Sequence, residues 1–191
     1  MELADQPQTH IVFAFFAVVV GSAVAGCHDT PKDQRVQAKY DQTTGKLSQL
    51  SVDATKDGKP NIVSYMDGTK FKRIEVDANE DGKTDRWEYY GANQKLERVG
   101  LSRANDGMPD AWAFQGPDGT VERIEVSTKR DGKTNRTEFY EKGALVRAEE
   151  DTDVDGQVDK WEHYESGVLV SVSFDTRKSG KPTTTIDYRK P

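Results

Sequence analysis

Asp151-Thr-Asp-Val-Asp-Gly-Gln-Val-Asp-Lys-Trp-Glu162 is the plainest copy of a unit of about 24 residues that recurs from Tyr40 to the C-terminus. Its Asp-Gly step returns as Asp57-Gly58, Asp81-Gly82, Asp106-Gly107, Asp131-Gly132 and Asp155-Gly156, with Ser179-Gly180 as a sixth copy. Successive copies are offset by 24, 25, 25, 24 and 24 residues. A period held that closely over six copies marks a repeat architecture, in which each unit buries its apolar surface only against its neighbours.

Each unit reads as two strands and two turns. The first strand carries apolar residues at one position, three further on and five further on: Leu47, Leu50, Val52; Phe71, Ile74, Val76; Leu96, Val99, Leu101; Val121, Ile124, Val126; Leu169, Val172, Phe174. The last two of each set share a face at period two, and the opposite face receives Arg73, Arg98, Arg123 and Arg147. The second strand alternates likewise. Trp87 and Tyr89, Trp112 and Phe114, Thr137 and Phe139, Trp161 and His163 lie on one side, and Glu88, Glu138 and Glu162 on the other. The β-branched and aromatic content fits strands. Glu141-Lys-Gly143 and Glu165-Ser-Gly167 read as hairpin turns, and the Asp-rich segments place Gly where a left-handed backbone costs little.

These patterns predict an all-β fold over residues 40–191, an antiparallel meander of two-strand repeats with eleven or twelve strands. Open twisted sheets that wide are uncommon, so the sheet is expected to curl or roll up and shield its Trp and Tyr face. The Arg and Glu rows are expected on the other face as cross-strand ion pairs, each exposed pair contributing about 0 to 1 kcal/mol.

Residues Ile11 to Val20 are apolar throughout and small residues follow up to Cys27, the layout of a secretory signal with its processing site. The uncharged stretch from Ile11 to Gly26 has 16 residues, short of the roughly 20 that span a bilayer as a helix. Val24-Ala25-Gly26-Cys27 resembles the lipobox of bacterial lipoproteins. The resemblance implies a signal helix in residues 1–26, cleavage before Cys27, diacylation of its thiol and acylation of the new amino terminus. The segment before Ile11 carries Glu2 and Asp5 and no basic residue, a departure from the positive start of export signals. Residues 27–39 then form the lipidated cysteine and a tether. The address is the bacterial cell envelope, an outer-membrane lipoprotein facing the periplasm or the cell surface, with the membrane as partner through the anchor.

Cys27 is the one cysteine of the chain, so no intramolecular disulfide can form. The net charge of −6 gives no basic patch for nucleic acid. A charged fraction of 31% with low mean hydropathy approaches the disordered class, but apolar residues at fixed places in every unit favour a folded array.

Tyr40-Asp41-Gln-Thr-Thr-Gly45-Lys46-Leu47 resembles the YD repeat of the Rhs family, which implies an extended β-sheet with a structural or encapsulating role. Later copies lose the Asp after Tyr and run longer than that family's unit. The pairing of an Asp-Gly loop with a Trp-Glu-x-Tyr strand is similar to bacterial envelope lipoproteins, which again implies an envelope address.

An EF-hand-like calcium loop needs oxygens at positions 1, 3, 5, 7, 9 and 12 with Gly at 6, because a hard cation takes six to eight oxygens and the chain must turn sharply around it. Asp151, Asp153, Asp155, Asp159 and Glu162 fill the side-chain positions, with Gly156 at the turn and Gln157 offering its carbonyl. Asp77, Asn79, Asp81, Asp85 and Glu88 do the same around Gly82. Other copies are degraded: Lys129 and Arg177 stand at position 3, and Ser102 and Ala104 replace ligands of the third unit. The competing reading is that Asp-Gly is turn chemistry throughout and that Glu88 and Glu162 point at arginines. His10, His28 and His163 form no zinc spacing, and repeated carboxylates do not by themselves nominate an acid and base pair. The functional expectation is a lipid-anchored binding or structural module with a protein or glycan partner and calcium at its Asp-rich loops. The alternative is an envelope glycan hydrolase using paired carboxylates.

Overall fold

The computed structural model describes residues 35–189. The segment expected as signal peptide, Cys27 and residues 28–34 of the expected tether lie outside the described residues. Thirteen strands follow in order: β1 Val36–Tyr40, β2 Leu47–Val52, β3 Ile62–Asp67, β4 Lys70–Val76, β5 Arg86–Tyr90, β6 Leu96–Leu101 and β7 Ala111–Gln115. After these come β8 Val121–Val126, β9 Arg136–Glu141, β10 Ala144–Glu150, β11 Lys160–Glu165, β12 Val168–Phe174 and β13 Thr184–Asp187. Each pairs antiparallel with its sequence neighbours in one sheet of order β1 to β13. Strand β1 begins inside the segment read as tether, so the sheet starts at Val36 and not at Tyr40.

The sheet does not curl or close. Strands β1 and β13 do not pair with each other, and strands in contact are always consecutive. The expectation of a rolled sheet assumed an apolar face in need of a second layer. Both faces instead carry charged side chains, with Arg73, Arg98, Arg123 and Arg147 over aromatic rings on one and Arg136 paired with Glu138 and Glu162 on the other.

Every hairpin with a short turn carries a β-bulge one or two pairs from its turn, at Lys39/Tyr40, Tyr65/Met66, Tyr89/Tyr90, Phe114/Gln115, Leu145/Arg147 and His163/Tyr164. The bulge explains the spacing of three and then two in the first strands. Lys72 is the extra residue between Phe71, opposite Met66, and Arg73, opposite Tyr65, so Phe71 rejoins the face of Ile74 and Val76. In the two-residue turns Lys142-Gly143 and Ser166-Gly167, φ is 51 and 79°, and 52 and 79°, the twin positive values of a tight hairpin.

The register also decides which rows share a face. Ile74, Glu88, Val99, Ala113, Ile124, Glu138, Ala148, Glu162 and Val172 are successive cross-strand partners. So are Tyr65, Arg73, Tyr89, Arg98, Phe114, Arg123, Phe139, Arg147 and His163. Glu88, Glu138 and Glu162 therefore lie with the aliphatic residues and Arg73, Arg98, Arg123 and Arg147 with the aromatic ones, where the sequence reading joined these two rows. The aliphatic face holds most of the core, with Val99 and Ala148 1% exposed, Ala113 2% and Val172 5%.

Candidate functional site

Six long loops, following β2, β4, β6, β8, β10 and β12, line one end of the sheet and share one hydrogen-bonding scheme. The first-position carboxylate accepts the N–H of the loop glycine: Asp53 from Gly58 at 2.9 Å, Asp77 from Gly82 at 2.9 Å, Asp151 from Gly156 at 2.7 Å and Asp175 from Gly180 at 2.6 Å. In the third and fourth loops Ser102 and Ser127 take over, each hydroxyl bonding Asp106 or Asp131. The fifth position accepts the N–H two residues on, as Asp81 does from Lys83 and Asp155 from Gln157. The ninth accepts the N–H of the second: Asn61 from Ala54, Asp85 from Ala78, Asp110 from Arg103, Asn135 from Thr128, Asp159 from Thr152 and Thr183 from Thr176. Neutral Ser, Asn and Thr serve as well as Asp at these places. Loop closure by side-chain acceptors is thus common to all six copies.

On that shared frame the fifth loop is distinct. Asp151, Asp153 and Asp159 each present an oxygen within 4.8 Å of the other two and could hold a metal ion. Asp155 is not in this group. It turns to Lys178 of the sixth loop, whose Nζ lies 2.8 Å from Asp155 Oδ2 and 2.9 Å from Asp153 Oδ2. The ammonium holds Asp155 below the ordinary carboxylate range, helped by the Gln157 N–H, and the two carboxylates raise Lys178 in turn. Gln157 is exposed in the loop.

In the second loop Asn79 Oδ1 accepts the Asp81 N–H at 2.9 Å, Asn79 Nδ2 lies 3.4 Å from Asp85 Oδ1, and Asp85 accepts from Ala78 and Asn79. Asp77, Asn79, Asp81 and Asp85 are therefore drawn into the turn.

Glu162 and Glu88, expected as twelfth-position ligands, are withdrawn from the loops because their strands point them onto the aliphatic face. Glu162 is 9% exposed. It meets Arg136 at 2.6 Å, Lys160 at 2.7 Å and the Tyr164 hydroxyl at 2.8 Å. Burial pushes its carboxyl up, but hydrogen bonds from Arg136, Lys160 and Tyr164 prevail and leave it at about 2. Burial and the Glu162 carboxylate push the Tyr164 hydroxyl up to about 12. Glu88 pairs with Arg86 at 2.8 Å and accepts from Tyr90 at 2.6 Å, and Glu138 does the same with Arg136 and Tyr140. The Tyr of the Trp-Glu-x-Tyr strand is thus the hydrogen-bond donor to its Glu.

The opposite face carries guanidinium groups over rings. Arg73 lies 4.2 Å from the Tyr65 centroid, Arg123 4.1 Å from Phe114 and Arg147 3.4 Å from Phe139. Arg98 lies over two neighbouring rings, 4.5 Å from Tyr89 and 4.7 Å from Trp112. Arg73 also pairs with Glu75 at 2.9 Å and Arg123 with Glu125 at 3.1 Å, and Arg147 pairs with Glu149. These ion pairs join residues two apart on one strand, not the cross-strand rows expected. Sequence reasoning missed Arg136, Lys178 and the aromatic partners of the Arg row. The signal for Arg136 was legible, since Arg86, Arg136 and Lys160 each stand two residues before a Glu.

No protein-family model and no curated protein matches the chain. Among solved structures, a variant of S. aureus TarM in complex with fondaparinux, α-GlcNAc-glycerol and UDP is 10% identical with a TM-score of 0.30, the match covering 61% of this chain and 20% of that one. Accessory secretory proteins 1, 2 and 3 of Streptococcus pneumoniae are 14% identical with a TM-score of 0.25, over 71% of this chain and 20% of that one. This chain spans about one fifth of the length of either.

Proposed function

We propose that this chain is a cell-envelope module, held to a membrane through lipidated Cys27, that works as a binding or structural platform with calcium at its fifth loop. The observation that carries the platform reading is the repeated guanidinium-over-ring unit on one face of the open sheet, from Tyr65 on β3 to Arg147 on β10. A surface built from one repeated contact suits an extended partner, because each repeat adds an equivalent contact. The carboxylates support the same reading. Those of Glu88, Glu138 and Glu162 are tied to arginine and tyrosine, and those of the loops to backbone N–H groups. The lipobox-like Val24-Ala25-Gly26-Cys27 supports the address.

Calcium suits the Asp151, Asp153 and Asp159 oxygens because a hard cation prefers carboxylates and tolerates a flexible loop. It must displace Lys178 from Asp153, so a weak site is expected. The test of the envelope address is labelled palmitate fed to cells that express the full chain, followed by fractionation. Label and membrane association in the natural protein, both lost in Cys27→Ala, support it. Equal labelling of the two, or a soluble natural protein, overturns it.

A further inference from the structure

Along the aromatic face the Arg row follows one rule with one exception. Arg73, Arg123 and Arg147 each lie on a ring and pair with the Glu two residues on. At Arg98 that place is Gly100. A Cβ at Gly100 would stand 2.9 Å from Trp112 Cζ3 and 3.0 Å from Cη2, so the indole occupies the space where the other repeats carry a carboxylate. Trp112 and Tyr89, 5.8 Å apart between centroids, flank the Arg98 guanidinium at 4.7 and 4.5 Å. Among the described residues no carboxylate or carbonyl accepts from it: its contacts are the two rings.

The result is a cation that is seated on two rings and whose hydrogen-bond donors have no acceptor among the described residues. A guanidinium offers a planar fork that matches a carboxylate with two parallel hydrogen bonds. Packing it against two rings removes part of the rotamer entropy that a flexible Lys would lose on binding. Charge complementarity therefore asks for an oxyanion at this position. The rest of the row indicates what carries it. Tyr89, Phe114 and Phe139 lie on alternate strands, so their spacing is about 9.6 Å at the usual separation of paired strands. That is close to the length of a disaccharide, and the half-exposed rings offer, beside the guanidinium groups that lie over them, apolar edges and surface against which sugar C–H groups can pack.

We propose that Arg98, seated over Tyr89 and Trp112, binds the carboxylate of an acidic polysaccharide whose sugar residues run across the strands over this ring row. The assignment rests on the platform reading and names its ligand class. Recognition is a single short-range ion pair supported by stacking, in a protein whose net charge of −6 opposes non-specific uptake of polyanions.

The test titrates the full-length protein with a galacturonate hexamer, reading tryptophan fluorescence and binding heat. Three comparators are its methyl ester, hexaglutamate and the variants Arg98→Lys and Arg123→Lys. Saturable binding of the free-acid hexamer is expected, with quenching of Trp112. It should weaken about tenfold or more in Arg98→Lys, which keeps the charge and loses the fork. Arg123→Lys, where the natural Arg already pairs with Glu125, should stay within about twofold, since an exposed pair contributes little. Methyl esterification should weaken binding as much as Arg98→Lys does, a comparison that needs no variant to fold. Equal binding of ester and free acid, equal binding of hexaglutamate, no effect of Arg98→Lys, or no binding at millimolar hexamer overturns the proposal. A protein that ignores uronate but still takes palmitate at Cys27 loses this assignment and keeps its envelope address.

Discussion

Arg136 on β9 reaches across β10 to Glu162 on β11, its Nη2 2.6 Å from Glu162 Oε2, while its other nitrogens hold Glu138 at 2.9 Å and Glu150 at 3.2 Å. One guanidinium thus ties together three strands on the aliphatic face. With Lys160 and Tyr164 completing the shell of Glu162, the network binds two successive repeats.

The pH dependence of stability should reveal this network. Glu162 is held at about 2 against an ordinary 4.5, so its stabilisation is fully present above pH 4.5 and is lost as pH falls towards 2, with a magnitude of about 3 kcal/mol. Glu162→Gln should cost about 3 kcal/mol at pH 7, because it leaves Arg136 partly unpaired in a buried site. The gap from the natural protein should shrink between pH 4.5 and 2. Urea midpoints across that range provide the check, and a constant gap would contradict the assignment.

Val154 lies in the fifth loop at φ 64°, a left-handed conformation that a β-branched residue adopts only under strain. Other loops place Lys56, Glu80, Asn105, Arg130 and Lys178 at the same step, with φ between 53 and 68°. Val154→Asn should therefore stabilise the protein by about 1 kcal/mol, visible as a higher urea midpoint.

Calcium should raise the melting temperature of the natural protein slightly and that of Lys178→Gln more. Removing the ammonium 2.9 Å from Asp153 frees that carboxylate and should tighten calcium binding by about tenfold, which enters the stability through the usual linkage. Asp159→Ala should abolish the shift in both backgrounds, and Asp155→Ala should mimic Lys178→Gln in part. Differential scanning calorimetry with and without millimolar calcium measures all five proteins.

Gly100→Ala should destabilise the sheet by about 1 to 3 kcal/mol, since the added methyl meets the Trp112 ring at 2.9 Å and the site is already filled. The displaced indole should shift its fluorescence maximum. An unchanged spectrum would show that Trp112 does not lie over Gly100.

The 24-residue period, most of the strands and the turn residues were legible in the chain, because alternation, Gly placement and Asx-type turns are local properties, although eleven or twelve strands were expected where the sheet has thirteen. So was the odd spacing of Phe71, Ile74 and Val76, although only the pairing of Phe71 with Met66 shows it to be a bulge. The face shared by each row was not local. Whether Arg73 sits beside Glu88 or Tyr89 depends on a one-residue choice of register between β4 and β5, and that step exchanges every side chain between the two faces. Tertiary structure settled it in favour of Tyr89. Arg was thereby placed on aromatic rings and Glu among the aliphatic residues, and the sheet stayed open. The same step removed Glu88 and Glu162 from the loops. Lys178 could not be read as a rival for Asp153 either, since the two are 25 residues apart and meet only because consecutive loops stack at one end of the sheet.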